Sequence, residues 1–288
     1  HEGGALGLAF GPEGALASSG EDGLVRLWDA GRGIPLGDPL PAHDGAARRV
    51  AWRPGSDYLA TVGPDGRVLL WDMAARPPAA VELGRHEAIA RALAFSPDGA
   101  RLASADDLGR LMVWDLGTGT PVEGSPVAAH AREIFDVAYS PDGRLLATGS
   151  WDGTVRLWDA ATLAPLGEPL PTSLRQVWDV AFSPDGALLG VAGEPETIVL
   201  IDVAERAVAG RLLTGQAPRV YGLDFSPDGR VLASAGADAT IALWDVAARQ
   251  RVGRPLDAHE AAVFALAFSP DGRLLASADL DGYLFLTV

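Results

Sequence analysis

The sequence of 288 residues contains no cysteine, no lysine and no asparagine. Without cysteine the chain forms neither disulfides nor thiolate sites, and nothing in the composition indicates an oxidising compartment. The apolar runs are of strand length and are interrupted by turn residues, so no transmembrane helix is predicted. No secretory signal pattern stands ahead of the first repeating unit. We therefore expect a cytoplasmic location.

The charge is one-sided, because 38 acidic and 23 basic residues give a net charge of −15. Nucleic acids and anionic membranes are bound by basic faces that displace counterions, so neither is expected as a partner. A basic protein segment is the more natural ligand. Every basic residue is arginine, and with abundant alanine, glycine and proline this bias indicates a GC-rich, bacterial genome.

A Trp-Asp pair returns along the chain at a nearly constant step. The pairs occupy positions 28–29, 71–72, 114–115, 158–159 and 244–245. The steps are 43, 43, 44 and then 86 residues, and Ile201-Asp202 stands at the middle of the double step. One further step of 43 reaches Thr287-Val288, so the pattern indicates seven repeats.

A second motif recurs in register with the first, namely an aromatic residue followed by Ser-Pro-Asp-Gly. It occupies positions 95–99, 139–143, 182–186, 225–229 and 268–272. Proline presets the turn and glycine accepts the positive φ that closes a hairpin. In the fourth repeat this turn separates the predicted strands Ile134–Tyr139 and Leu145–Ser150, and a Trp-Asp-Gly turn leads to a third strand over 154–158.

A proline-rich segment follows the third strand in several repeats. Proline removes a donor from the sheet ladder and is confined to edges, so we expect this segment to be the outermost strand. The segments lie at 35–40, 121–127, 165–170 and 249–256.

Repeats of this length, each with several short strands and a terminal Trp-Asp, are typical of a β-propeller. Over its whole length the chain resembles the WD-repeat family. The resemblance implies an all-β, seven-bladed propeller of four-stranded antiparallel blades, formed by residues 1–288 as a single domain. The expected repeats are approximately 1–42, 43–85, 86–129, 130–172, 173–215, 216–258 and 259–288.

The sequence opens at His1 in mid-repeat and stops after the third strand of repeat 7. Blade 7 is therefore expected to lack its outer strand within this chain. We interpret the sequence as part of a longer bacterial protein, with an effector domain in the same full-length chain. The apolar edge at 284–288 would then be open to pairing with another chain.

All histidines fall in one position, 27 or 28 residues before the third-strand Trp position. The family resemblance implies that this His, a second-strand hydroxyl, a turn Asp and the Trp form a hydrogen-bonded tetrad. A buried indole N–H and a buried carboxylate each need such a partner. Complete tetrads are expected for His1, Ser18, Asp22 and Trp28; for His43, Thr61, Asp65 and Trp71; and for His130, Thr148, Asp152 and Trp158.

The other four repeats depart from this set. Repeat 3 keeps His86, Ser104 and Trp114 but has Leu108 at the Asp position, and repeat 6 has Gln216 at the His position. Repeat 7 keeps His259 and Ser277, with Asp281 as its acid, and ends in Thr287. Repeat 5 has lost the set altogether, with Ser173, Val191, Pro195 and Ile201. Joint loss is physically favoured, because a half-satisfied buried network costs more than an apolar one.

In this family the residue five after the His position lies near the entrance of the central channel. Allowing for one deletion in blade 1, the series reads Leu6, Arg48, Arg91, Phe135, Trp178, Tyr221 and Phe264. The turn residue before the tetrad Asp faces the same way and adds Glu21, Asp107, Trp151 and Glu194.

Aromatic residues and arginine dominate binding hot spots. We therefore predict partner binding at Phe135, Trp178, Tyr221, Phe264, Trp151, Arg48 and Arg91, with the aromatics of blades 4 to 7 facing the two arginines. The alternative is that the aromatics only plug the channel or pack between blades.

The resemblance implies a non-catalytic interaction scaffold or sensor that binds a protein or peptide at the channel entrance. One alternative is a propeller enzyme such as a channel-based hydrolase, which needs clustered His, Asp or Glu ligands. Here the histidines are assigned to tetrads and the channel position carries no carboxylate, so no catalytic residue, metal or cofactor is predicted. Self-association through the blade 7 edge is the other alternative.

Overall fold

A computed structural model of the chain describes residues 1–195, 197–213, 216 and 218–287. Seven antiparallel sheets follow one another along the chain. Each has its strands in sequence order, and the last sheet has three strands instead of four. The all-β, seven-bladed propeller and the missing outer strand of blade 7 are thereby confirmed. Val288, which closes the last predicted step, lies outside the described residues.

The first three strands of each blade occupy equivalent places in their sheets. The inner strands are Ala5–Phe10, Arg49–Trp52, Ala90–Phe95, Ile134–Tyr139, Gln176–Phe182, Val220–Phe225 and Val263–Phe268. The second strands are Ala15–Gly20, Tyr58–Val62, Arg101–Asp106, Leu145–Ser150, Leu188–Glu194, Val231–Gly236 and Leu275–Asp279. The third strands are Leu24–Asp29, Arg67–Asp72, Arg110–Asp115, Thr154–Asp159, Thr197–Asp202, Ile241–Asp245 and Leu284–Thr287.

The outer strands differ in length according to where proline stands. Those of blades 2, 5 and 6 are continuous, namely Ala79–Arg85, Ala207–Leu213 and Gln250–Leu256. Those of blades 1, 3 and 4 are reduced to Ile34–Pro35 with Leu40–Pro41, to Thr120–Pro121 with Val127–Ala128, and to Leu170–Pro171. Each of these shortened strands contains proline, whose missing N–H limits the pairing. The blade 6 strand contains Pro255, and it pairs with the third strand only at residues 250–252 and at Leu256. The described residues also contain a short 3₁₀ turn, Pro12–Gly14. No helix in the described part of the chain is long and apolar enough to cross a membrane.

The blades are held together by apolar side chains packed between neighbouring sheets. The tetrad Trp of one blade packs against the blade before it, as Trp158 does against Val113. The same kind of packing closes the ring between blades 7 and 1, where Ala5 meets Ala265 and Ala278. The terminal amino group of His1 also donates to the carbonyl oxygen of Gly282 at 2.9 Å. Blade 7 thus joins blade 1 through its three strands.

Where the Trp is replaced in blade 7, the interface with blade 6 is less well filled. A cleft of about 380 Å³ lies there, lined by Leu243, Leu256, Leu275 and Thr287 among others. The three leucines stand at positions that surround the indole of Trp158 at the interface of blades 3 and 4, and Thr287 stands at the Trp position itself.

An extra residue stands near the start of six of the seven inner strands, where the pairing with the second strand shifts by one. In blade 4, Ile134 pairs with Ser150 and Asp136 pairs with Gly149, which leaves Phe135 as the bulged residue. A β-bulge re-aims the side chain it carries. The other bulged residues are Leu6, Arg91, Trp178, Tyr221 and Phe264.

The hydrogen bonds of a tetrad are present in blades 1, 2 and 4. In blade 4, His130 Nδ1 lies 3.0 Å from Asp152 Oδ2 and Nε2 lies 2.7 Å from Thr148 Oγ1. Trp158 Nε1 donates to the same Oγ1 at 3.0 Å. Because the carboxylate only accepts, the imidazole carries its proton on Nδ1, and the Thr hydroxyl donates to Nε2. The sets around His1 and His43 have the same bonds at 2.8 to 3.1 Å.

Blades 3 and 7 take their acid from a different position than we expected. His86 Nδ1 lies 3.0 Å from Asp106, and His259 Nδ1 lies 2.7 Å from Asp279. Both aspartates end the second strand, where blades 1 and 2 have glycine. Asp281 is exposed, so its assignment to the tetrad was wrong. Blade 3, with Leu108 at the expected Asp position, is nevertheless a complete tetrad.

Blade 6 keeps a hydrogen-bonded set with an amide in place of the imidazole. Ser234 Oγ donates to Gln216 Oε1 at 2.7 Å and accepts from Trp244 Nε1 at 3.0 Å. Gln216 Nε2 donates to the Thr240 carbonyl at 2.9 Å. Glutamine therefore supplies the acceptor that histidine Nε2 supplies elsewhere.

Blade 5 fills the tetrad position with apolar side chains. Leu174, rather than Ser173 as we expected, lies over Gly193 as the His43 ring lies over Gly63. It packs with Val191 and Ile201 in one buried cluster. Ser173 instead takes φ 64° and accepts from Arg211 Nη2 at 3.2 Å.

Removing the central hydroxyl of a tetrad should destabilise the fold. Thr148→Val leaves His130 Nε2 and Trp158 Nε1 without their shared partner, so we expect the free energy of unfolding to fall by about 2 to 4 kcal/mol. Urea denaturation followed by tryptophan fluorescence measures the change. The same substitution at the exposed Thr120 is the control, with an expected change within about 0.5 kcal/mol. Equal effects at both sites would contradict the role of the tetrad.

Candidate functional site at the channel mouth

The bulges bring side chains from four blades together at one end of the channel. Phe135 and Trp178 lie 4.5 Å apart between ring centroids, and Trp178 and Tyr221 lie 5.0 Å apart. Phe264 lies 5.2 Å from Tyr221, and Trp151 stacks on Phe135 at 4.7 Å with the ring planes 8° apart. The five predicted aromatics therefore form one contiguous group, which we call the aromatic cluster.

The members of the aromatic cluster differ in exposure. Phe135 and Trp178 are buried, with 6% and 9% of their surface exposed. Trp151, Tyr221 and Phe264 are partly exposed. The cluster thus fills part of the channel, as a plug would, and also offers partly exposed ring surface to a ligand.

Three arginines of the channel mouth lie against rings of the aromatic cluster. The Arg91 guanidinium carbon lies 4.9 Å from the centroid of Phe135, and Arg219 and Arg132 lie 5.9 and 5.8 Å from Trp178 and Trp151. At these distances a guanidinium is attracted by the negative face of the ring. Arg91 is therefore in contact with the aromatic cluster, whereas we expected it to face the cluster.

The arginines on the rings are mostly paired with acids of the rim. Arg91 makes two hydrogen bonds to Asp107, one of them from Nη2 at 2.9 Å. Arg219 Nε donates to Glu194 Oε2 at 2.9 Å, and its hydrogen bonds with Tyr221 and Glu194 raise the pKa of Arg219. Ion pairs of this kind fix the orientation of the planar guanidinium.

Arg48 and Leu6 are the remaining members of the series predicted to lie near the channel entrance. Leu6 is 2% exposed, so it contributes to the core instead of to the mouth. Arg48 is partly exposed, and its Nε is buried without a hydrogen-bond acceptor among the described residues. Burial, together with the positive charge of Arg91, lowers the pKa of Arg48.

Below the aromatic cluster the channel contains a cavity of about 380 Å³, lined by Phe264 and by four charged side chains. These are Arg49, Asp136, Asp179 and Asp224. We expected no carboxylate at the channel position, and this holds only for the bulged residue. The residue after the bulge also lines the channel, and in blades 4 and 5 it is aspartate.

The three carboxylates connect neighbouring blades. Asp136 Oδ2 accepts from the N–H of Val180 at 3.1 Å, and Asp179 Oδ2 accepts from the N–H of Leu223 at 2.7 Å. Asp224 Oδ2 accepts from the N–H of Phe268 at 2.6 Å. Each acid therefore ties its own inner strand to that of the next blade.

Two of the channel acids, Asp136 and Asp224, have raised pKa values, and burial is the largest cause for both. Burial, the charge of Asp179 and a hydrogen bond with Asp179 raise the pKa of Asp136 well above its ordinary value. Burial also raises the pKa of Asp224 to about 7. Among the described residues no three His, Asp or Glu side chains are placed to hold a metal ion.

A sequence signal for these acids exists, although the period alone does not reveal it. Phe135-Asp136 and Trp178-Asp179 place an aromatic–Asp pair at the same point of two successive repeats. Asp224 is different, because it stands where blades 4 and 5 have Ala138 and Ala181. A single acid in a row of alanines is the signal that could have identified it.

The family model described as "WD domain, G-beta repeat" matches six segments of the chain, at residues 1–29, 35–72, 80–115, 124–159, 209–245 and 250–286. The chain belongs to this family. The unmatched stretch between residues 159 and 209 contains the first three strands of blade 5, whose tetrad is replaced by apolar residues. No curated protein matches the chain. Propellers of this family are generally protein-interaction scaffolds and are typically not enzymes.

The raised pKa of Asp224 predicts a dependence of stability on pH. The pKa of Asp224 is about 7 in the folded state and its ordinary value is 3.8. At pH values between these two, the folded state therefore binds a proton that the unfolded state does not. Stability therefore falls as the pH rises through this range. In Asp224→Asn the amide oxygen still accepts from Phe268 N–H, so we expect a gain of about 1 to 3 kcal/mol at pH 8 and little change at pH 4.

Urea denaturation at several pH values measures this effect. Asp38→Asn, which removes the same charge at an exposed position, is the control and should leave the pH dependence unchanged. Parallel curves for wild type and Asp224→Asn would contradict the prediction.

Proposed function

We propose that this propeller is a non-catalytic interaction module, a scaffold or sensor, that binds a segment of a partner protein at the channel mouth. The supporting observation is the aromatic cluster, in which rings from four blades meet beside arginines. Rigid aromatic rings provide a large contact area at little entropic cost. Arginine and aromatic side chains are also the residues that contribute most to binding at interfaces.

The proposed partner is a protein, because the net charge of −15 opposes nucleic acid and anionic membranes. A peptide segment suits the mouth, since the partly exposed rings of Trp151, Tyr221 and Phe264 belong to one contiguous cluster of limited area. In this proposal the protein is bacterial and cytoplasmic, and an effector domain in the full-length chain responds to the bound partner.

A library of random twelve-residue peptides displayed on phage tests this proposal. Peptides selected on the wild-type protein should bind the double variant Trp151→Ala/Tyr221→Ala at least about tenfold more weakly, because each ring is a potential hot spot. Tyr283→Ala is the control, since this tyrosine is 64% exposed in blade 7, outside the aromatic cluster. Its peptide affinities should equal those of the wild type.

Two outcomes would contradict the proposal. One is a set of selected peptides that bind the double variant as tightly as the wild type. The other is the absence of any selected peptide. A melting curve of each variant shows whether lost binding reflects lost folding.

A second candidate function is self-association through the edge of blade 7. No outer strand lies beside the third strand, Leu284–Thr287, among the described residues, and Phe285 is 42% exposed. An unpaired strand with apolar side chains is a template for pairing with another chain. We expect a dimer in sedimentation velocity if this edge is used, and Phe285→Lys should return it to a monomer. A monomeric wild type over the concentration range tested would exclude this function.

A further inference from the structure

The channel mouth has hydrogen-bond donors without acceptors. Arg48 Nε, Trp151 Nε1 and Trp178 Nε1 are buried and meet no acceptor among the described residues. Trp178 is 9% exposed, so its indole N–H lies in the interior of the mouth. A buried donor without a partner costs about 1 to 3 kcal/mol. Such groups call for an explanation, and a ligand that brings acceptors is one.

The acidic side chains of the mouth, by contrast, all have partners. Asp107 is paired with Arg91. Glu194 accepts from Arg219 Nε at 2.9 Å, and Glu21 Oε2 accepts from the backbone N–H of Gly4 at 3.1 Å. No ion pair within the described part of the chain involves Arg48. The mouth therefore has an unpaired positive charge although the whole chain is strongly acidic.

We propose that the partner segment places a carboxylate on Arg48, supplied by an aspartate or glutamate side chain or by a free C-terminus. This inference rests on the proposed function, because the segment must enter the same mouth. Arg48 is partly exposed, so a carboxylate can approach its guanidinium and form charge-assisted hydrogen bonds. Carbonyl oxygens of the segment are acceptors for the Trp151 and Trp178 indoles when these rings move apart.

Arg91 places the unpaired donors in one neighbourhood. Its charge acts on Arg48, and its guanidinium carbon lies 5.9 Å from the Trp151 ring. Trp151 in turn lies 5.0 Å from Trp178. A short segment that begins at Arg48 and crosses Arg91 thus reaches both indoles.

A carboxylate suits this mouth better than a phosphate or a basic side chain. Glu21 and Asp107 lie close enough to act on the charge of Arg48, and they repel a dianion more than a monoanion. A lysine or arginine would add donors where donors already lack partners. The overall charge of −15 favours basic residues elsewhere in the partner, but this long-range attraction is screened beyond about 8 Å in physiological salt.

Defined hexapeptide mixtures test this inference. Fluorescent, N-acetylated and C-amidated mixtures carry glutamate, glutamine, lysine or phosphoserine at one fixed central position, and a further glutamine mixture has a free C-terminal carboxylate. Fluorescence anisotropy should show that the glutamate mixture or the free-acid mixture binds at least about tenfold more tightly than the amidated glutamine mixture. Comparing the glutamate mixture with the free-acid mixture shows whether the carboxylate comes from a side chain or from the C-terminus.

Arg48→Met keeps the apolar stem of the side chain and removes the guanidinium. In this variant we expect the carboxylate-bearing mixture to bind about as tightly as the glutamine mixture, whose affinity stays the same. Arg132→Met is the matched control, because Arg132 also lies at the rim, 5.8 Å from the Trp151 ring, and is paired with Glu133. The control should retain the preference.

The inference is overturned by equal affinities of the glutamate, free-acid and glutamine mixtures, by tighter binding of the lysine or phosphoserine mixture, or by a preference that persists in Arg48→Met. If one of these outcomes is found, and the mixture that binds loses its affinity in Trp151→Ala/Tyr221→Ala, the proposed function stands and only the carboxylate is excluded. If no mixture binds, both are overturned.

Discussion

Each blade of this protein is stabilised by apolar contact with the blades on either side, and the rest of the structure depends on that contact. A small sheet alone would expose its apolar faces, so a single repeat cannot form a stable core. In the ring, the indole of Trp158 fills the space beside Val113 of the preceding blade, and the alanines Ala5, Ala265 and Ala278 close the ring between blades 7 and 1. In the described residues the ring is therefore closed by side-chain packing between blades 7 and 1.

The tetrads show how a buried polar network tolerates change. Blade 6 replaces an imidazole by the amide of Gln216, and blades 3 and 7 replace one carboxylate by another, Asp106 or Asp279. In each case the hydroxyl of the second strand keeps its hydrogen bond. Blade 5 has lost the hydroxyl, and there Leu174, Val191 and Ile201 form an apolar cluster instead. A network either stays satisfied or is lost together, because a single unpaired buried group is costly.

The channel mouth depends on the bulges in the inner strands. An extra residue in a strand turns two successive side chains toward the channel, so Phe135 joins the aromatic cluster while Asp136 lines the cavity below it. The mouth thereby combines rings and arginines, whereas the interior combines three carboxylates with Arg49. The same local irregularity separates a surface suited to binding from a set of acids that tie one blade to the next.

The sequence by itself determined the number of blades, the order of the strands, the short proline-limited outer strands and the positions of the histidines, because all of these depend on contacts within one repeat and recur with its period. It also identified the aromatics of the mouth as a series. Only the tertiary structure decided that Arg91 lies on Phe135, that Asp136, Asp179 and Asp224 share the channel, and that Arg48 has no ion-pair partner among the described residues. Those contacts join residues of different sheets around one axis, and no spacing along the chain specifies how their side chains meet there.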